Sequence, residues 1–111
     1  MTTIFAKIIR GEIPAEKIFE NERILAIKDI HPIAPVHILI MPKKEISDIQ
    51  SLLLEDHSLL SEIFTVAQKL AIEFGIEKGY RLVTNNGPDG GQEIFHLHFH
   101  LIGGKRLGRI G

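Results

Sequence analysis

The chain has 111 residues, 44% apolar and 24% charged, which suits one soluble globular domain, residues 1–111, with room for a real core. A formal net charge of −1 gives no electrostatic footing for nucleic acid or an anionic membrane as the main partner, and no apolar run approaches the roughly 18 residues that span a bilayer. With no cysteine, disulfides and thiolate zinc sites are excluded, a composition that fits a reducing, cytoplasmic setting.

In chain order, Thr2 to Gly11 reads as a short helix. A threonine can cap it, Ile4, Phe5, Ile8 and Ile9 form its apolar side, and Gly11 stops it. Lys7 and Arg10 interrupt this stretch, so it does not read as a signal peptide. Pro14 fixes a turn. Lys17 to Glu20 and Ile24 to Asp29 read as strands joined by a tight turn at Asn21-Glu22. Asp29 to Pro35 is a loop, since its two prolines disallow regular pairing. Val36 to Met41 is a buried strand ended by Pro42, and His37 lies in it. Ile46 to Leu53 holds a helical turn or two.

The main helix is expected at Glu55 to Phe74. Leu59, Leu60, Ile63, Phe64, Ala67, Leu70, Ala71 and Phe74 recur at helical spacing, Glu55 and Asp56 favour the first turn, and Gly75 ends it. Tyr80 to Asn85 is a strand, Asn86 to Gln92 a glycine-rich loop, and Ile94 to Ile102 a last strand. The tail from Gly103 is irregular, and its basic residues Lys105, Arg106 and Arg109 are solvated. Neighbouring strands with segregated helices predict an α+β fold on an antiparallel sheet of about five strands.

The last strand carries the chemistry. Half of the six histidines fall in His96-Leu97-His98-Phe99-His100. Strand alternation puts His96, His98 and His100 on one face, neighbours roughly 7 Å apart, and Leu97, Phe99 and Leu101 on the other. Such histidines can be solvated or structural. They can bind zinc, with His37 as a further ligand, although no acidic or thiolate ligand lies at a motif distance. They can also perform metal-free nucleophilic catalysis, a neutral imidazole attacking phosphorus while its neighbours orient it and move protons. The third reading is preferred, with no metal and no cofactor; crowded imidazoles resist being charged together, which helps keep one neutral near pH 7. Just upstream, Gly90 and Gly91 let backbone N–H groups approach a phosphate, and Asn85 and Gln92 offer uncharged donors. The same loop is also an ordinary hairpin connection built on Pro-Asp-Gly. His37 is either structural or, if its strand adjoins the last one, a relay partner. Asp29 either accepts from ribose hydroxyls or caps the turn at Ile30-His31-Pro32. His31 and His57 read as surface residues.

His-x-His-x-His followed by Leu101-Ile102 resembles the defining pattern of the histidine triad superfamily. Thr3 to Ile9, Asp29-Ile30-His31-Pro32 with Ala34-Pro35-Val36-His37, Met41-Pro42-Lys43-Lys44 with Ile46-Ser47, the Asn85-x-Gly87 and Gly90-Gly91-Gln92 loop, and Gly103-Gly104 resemble successive segments of its nucleotide-binding Hint branch. The likeness runs through nearly the whole chain in order. It implies a homodimeric purine nucleoside phosphoramidase, with sheets joined across the dimer, that cleaves the P–N bond of adenosine or guanosine 5′-monophosphoramidates and also hydrolyses related aminoacyl-adenylates. By the family pattern His98 is the nucleophile, His100 binds phosphate, His96 orients the site and His37 joins a proton relay. Asn85, Gly91 and Gln92 line the phosphate pocket and Asp29 holds the ribose. Ile4, Phe5, Ile8, Ile27, Ile30 and Leu39 match positions that pack on the purine. Glu93 follows Gln92 where animal members carry a serine that contacts the phosphoramidate; bacterial-type members can carry glutamate. The tail lacks the tryptophan-containing segment of animal members. Rival readings are a dinucleoside polyphosphate hydrolase or nucleotidyltransferase of the same fold, and a nucleotide- or zinc-binding regulatory module.

Overall fold

A computed structural model describes residues 2–110. Its elements are α1 (Ile4–Ile9), β1 (Lys17–Glu20), β2 (Ile24–Lys28), β3 (Val36–Pro42), α2 (His57–Glu73), β4 (Tyr80–Val83) and β5 (Phe99–Gly103), with short 3₁₀ turns at Ile49–Ser51, Leu54–Asp56 and Pro88–Gly90. The five strands form one antiparallel sheet in the order β1-β2-β3-β5-β4. This is the expected α+β architecture. No helix of the described residues is long and apolar enough to cross a membrane.

Period-two alternation divides the sheet into two working faces. Ile24, Ala26, Ile38, Ile40, Leu97, Phe99 and Leu101 join the α2 stripe, Leu59, Ile63, Val66, Ala67, Leu70 and Ala71, in the main core. Leu25, Ile27, Leu39 and Met41 point to the other face, where Phe5 and Ile8 of α1 cover them. The six-residue α1 holds its place through its ends. Thr3 Oγ1 accepts from the Ala6 N–H at 3.1 Å, and Gly11 leaves the helix at φ +79°. The histidines belong to this second, thinly covered face.

Several boundaries differ from expectation by one residue, and three larger differences each have a local reason. The α2 helix starts at His57, so Glu55 and Asp56 precede its first turn. The buried Asp56 carboxylate accepts from the Leu53 N–H at 3.0 Å and pairs with Lys44, which closes a tighter 3₁₀ turn there. The β4 strand ends at Val83 because Thr84 Oγ1, not a backbone group, donates to the His98 carbonyl at 2.7 Å. The regular part of the last strand begins at Phe99, not Ile94. The β3–β5 ladder reaches Ile40↔Phe99, and two residues further β3 runs into Pro42, which has no N–H to give. The chain stays close all the same, its Leu97 N–H donating to the Ile46 carbonyl at 2.7 Å. His96 and His98 therefore precede the ladder while keeping the alternation: Leu97 is in the core under α2, and the histidines on either side of it face away.

Candidate active site

A chain of side-chain bonds to backbone carbonyls sets the two histidines outside the ladder. His96 Nε2 donates to the Pro42 carbonyl at 2.8 Å, and His98 Nδ1 donates to the His96 carbonyl at 2.6 Å. A carbonyl oxygen can only accept, so His98 carries its proton on Nδ1 and keeps a free lone pair on Nε2. Phe5 packs edge-on against the same ring, with centroids 4.9 Å apart at 76°.

The second pair of histidines comes from adjacent strands. Leu39 of β3 faces His100 of β5, which makes His37 a diagonal neighbour of His100 on the same face. His37 Nδ1 accepts from the Ile33 N–H at 3.2 Å, so its proton sits on Nε2. That nitrogen lies 2.9 Å from His100 Nδ1 and 3.3 Å from Asp29 Oδ2. His100 Nδ1 is then the acceptor, and His100 Nε2–H remains as a donor. The ring centroids of His98 and His100 are 5.1 Å apart, tilted by 58°.

Burial pushes the pKa values of all four imidazoles down. For His37 and His98 it outweighs the attraction of Asp29. For His96 it outweighs the bond to Pro42. His100 falls furthest, to about 4, since His98 and His37 add their repulsion to its burial. The cluster is a set of neutral imidazoles near pH 7, with opposite proton placement on the two rings that reach the cavity.

That cavity has a volume of about 680 Å³. Ile4, Phe5, Ile8, Ile27 and Leu39 line its apolar side, and His98, His100, Asn85, Gly91, Gln92 and Glu93 line its polar side. Asp29 and Ile30 also line it, Ile30 being largely exposed. His96 and His37 stand behind His98 and His100 as their supports. The fold thus brings the sequence-identified residues together at one place. Ile13, Pro14, Ala15, Glu16, Lys28, His31 and Ile94 complete the lining. Sequence reasoning left these out; the only available signal was that Pro14 and the start of β1 must return past α1. His31 and His57 are exposed, and His31 nonetheless stands at the cavity.

Two polar residues have partners that qualify their expected roles. Gln92 is buried, donates through Nε2 to the Ser47 and Ile94 carbonyls at 2.8 and 3.1 Å, and accepts from the Gly87 N–H at 2.8 Å. Its carboxamide is occupied in holding the glycine loop. Asp29 Oδ1 accepts from the His31 N–H at 2.8 Å, the turn cap that was one of its two readings, while Oδ2 faces His37. Folding also supplies the acidic group missing from the metal reading: ligand atoms of Asp29, His37 and His100 lie within 4.8 Å of one another. In the neutral cluster those atoms are bridged by the His37 Nε2 proton, a relay arrangement.

The HIT domain family model matches residues 10–107. A Chlamydia muridarum protein described as an uncharacterized HIT-like protein is 54% identical over 110 residues, covering 99% of this chain and 87% of the relative. Among solved structures, the HIT family hydrolase from Legionella pneumophila Philadelphia 1 is similar with TM-score 0.94 and 47% identity, covering 96% of each chain. The histidine triad nucleotide-binding protein from Candida albicans is similar with TM-score 0.83 and 31% identity, covering 99% of this chain and 86% of that one.

Proposed function

The chain belongs to the HIT domain family, and on that premise we propose that it is a hydrolase acting as a purine nucleoside phosphoramidase. The observation that carries this reading is the proton placement on His98: with Nδ1–H bound to the His96 carbonyl, Nε2 is a neutral nucleophile at the cavity. Nε2 attacks phosphorus and forms a P–N bond to His98. The bond to the leaving nitrogen breaks, and that nitrogen takes up one proton from solvent at the open cavity and departs as an amine. His98, now bonded at both nitrogens, carries positive charge that the His96 carbonyl stabilises through Nδ1–H. Water then adds its oxygen to phosphorus and gives up a proton, and His98 departs neutral with the lone pair of Nε2. The proton consumed in the first step returns in the second. No redox partner is involved.

His100 Nε2–H donates to a phosphoryl oxygen as charge grows there, and His37 fixes that donor by holding Nδ1. Asn85 makes no side-chain hydrogen bond among the described residues and is free to add a second donor. Phe5, Ile8, Ile27 and Leu39 give the base an apolar side to pack on, and by the family pattern that base is a purine. Asp29 reaches the ribose. The hydrolase designation of the Legionella neighbour and the nucleotide-binding designation of the Candida neighbour support the same reading.

The direct comparison is between adenosine 5′-phosphoramidate and a diadenosine polyphosphate. Faster cleavage of the first, with mass label trapped on His98, is expected. Faster cleavage of the second moves the assignment to a dinucleoside polyphosphate hydrolase. The active form is proposed to be a homodimer whose sheets join at an open edge strand, β1 or β4. Equilibrium sedimentation should give the two-chain mass, and a one-chain mass at micromolar concentration overturns this.

A further inference from the structure

The cavity contains one carboxylate that neither the reaction above nor an ion pair engages. Glu93 lines it together with His98 and His100, entering on the same loop as Asn85 and Gly91. The backbone beneath it is fixed on both sides: Gln92 on one flank is held to Ser47 and Gly87, and the carbonyl of Ile94 on the other is held by the Gln92 amide. The Glu93 carboxylate itself forms no ion pair or side-chain hydrogen bond among the described residues.

The other ionic groups of the cavity are engaged. Lys28 Nζ lies 2.9 Å from Glu16 Oε2, and Asp29 is held by His31 and His37. Three carboxylates therefore stand against one ammonium around the cavity, with His98 and His100 neutral. An anionic nucleotide already brings one phosphate charge. On the reading above the base takes the apolar wall and the phosphate meets His98 and His100, which leaves the leaving group to the polar side that Glu93 lines; a second phosphate there would meet Glu93 as a like charge, whereas a positive charge would be attracted.

We propose that Glu93 selects for a leaving amine that carries a second, cationic group, and against a polyphosphate leaving group. The substrate class is then an adenosine or guanosine 5′-phosphoramidate of an amine that bears a second, cationic group. This rests on the phosphoramidase reading and narrows it. Glu93 is exposed, so the preference is modest and sensitive to salt.

The test compares the AMP amides of pentylamine and of 1,5-diaminopentane. Five carbons keep the distal ammonium from altering the basicity of the reacting nitrogen. At low ionic strength the expected ratio of kcat/KM favours the diaminopentane amide by about two- to fivefold. Added salt should shrink that ratio, Glu93→Gln should bring it to about one, and Glu93→Asp should restore part of it. A wild-type ratio of about one, or a preference that Glu93→Gln leaves in place, overturns the proposal. If neither amide is cleaved, the phosphoramidase reading fails separately, and calorimetric binding of the same two amides decides the question for Glu93. Tighter binding of the cationic amide, lost in Glu93→Gln, supports selection; equal binding overturns it.

Discussion

At His98 the position of a single proton separates a nucleophile from a spectator. The His96 carbonyl holds that proton on Nδ1, and burial resists adding a second one on Nε2. The pKa of His98 is lowered, so the reactive neutral form persists as pH falls through the ordinary imidazole value of 6.5 and is lost only below it. The acid limb of kcat/KM for adenosine 5′-phosphoramidate should accordingly lie below 6.5. A limb at or above that value means that an unburied group controls the rate. The strict alternation of the three histidines was legible in the sequence, because strand period alone predicts it. The proton placement was not, because it depends on which carbonyl each ring finds. His37 and His100 meet across 63 residues of chain, a pairing that no local pattern encodes.

At the scale of elements, the glycine loop is positioned by a neighbour rather than by its own turns. Gln92 ties it to Ser47, which follows β3, and to its own Gly87. A glutamate at this position keeps the shape but loses both donors, and its carboxylate would face two carbonyls. Gln92→Glu should therefore destabilise the protein by about 1–3 kcal/mol, measured by chemical denaturation. It should also raise KM for the phosphoramidate, since the loop carries Asn85 and Gly91. Unchanged stability and KM would show that the loop holds its shape without this clamp. The sequence marked the loop as a turn near a phosphate site because Pro-Asp-Gly and two adjacent glycines are local signals. It presented Gln92 as a donor to substrate because the competing acceptor, the Ser47 carbonyl, lies 45 residues away. The last strand was drawn too long for a similar reason: Pro42, on the facing strand, ends the ladder.

At the scale of the molecule, one sheet separates two tasks. The face under α2 is the stabilising core, and the face under the short α1 is left open enough to form the cavity. Leu97, Phe99 and Leu101 anchor the chain in the first while the intervening histidines serve the second. Local patterning made the five strands and the long helix readable from the sequence. The cavity wall contributed by Ile13, Pro14 and Ala15 was not readable, since it arises where the α1–β1 connection folds back over β2. The central claim, a metal-free reaction through His98, is tested most directly by AMP release from adenosine 5′-phosphoramidate. Wild type and His98→Ala should be assayed side by side with excess chelator. The account predicts turnover by wild type and loss of turnover by His98→Ala, with AMP still bound by the variant. Turnover that chelator abolishes, or that survives in His98→Ala, would contradict it.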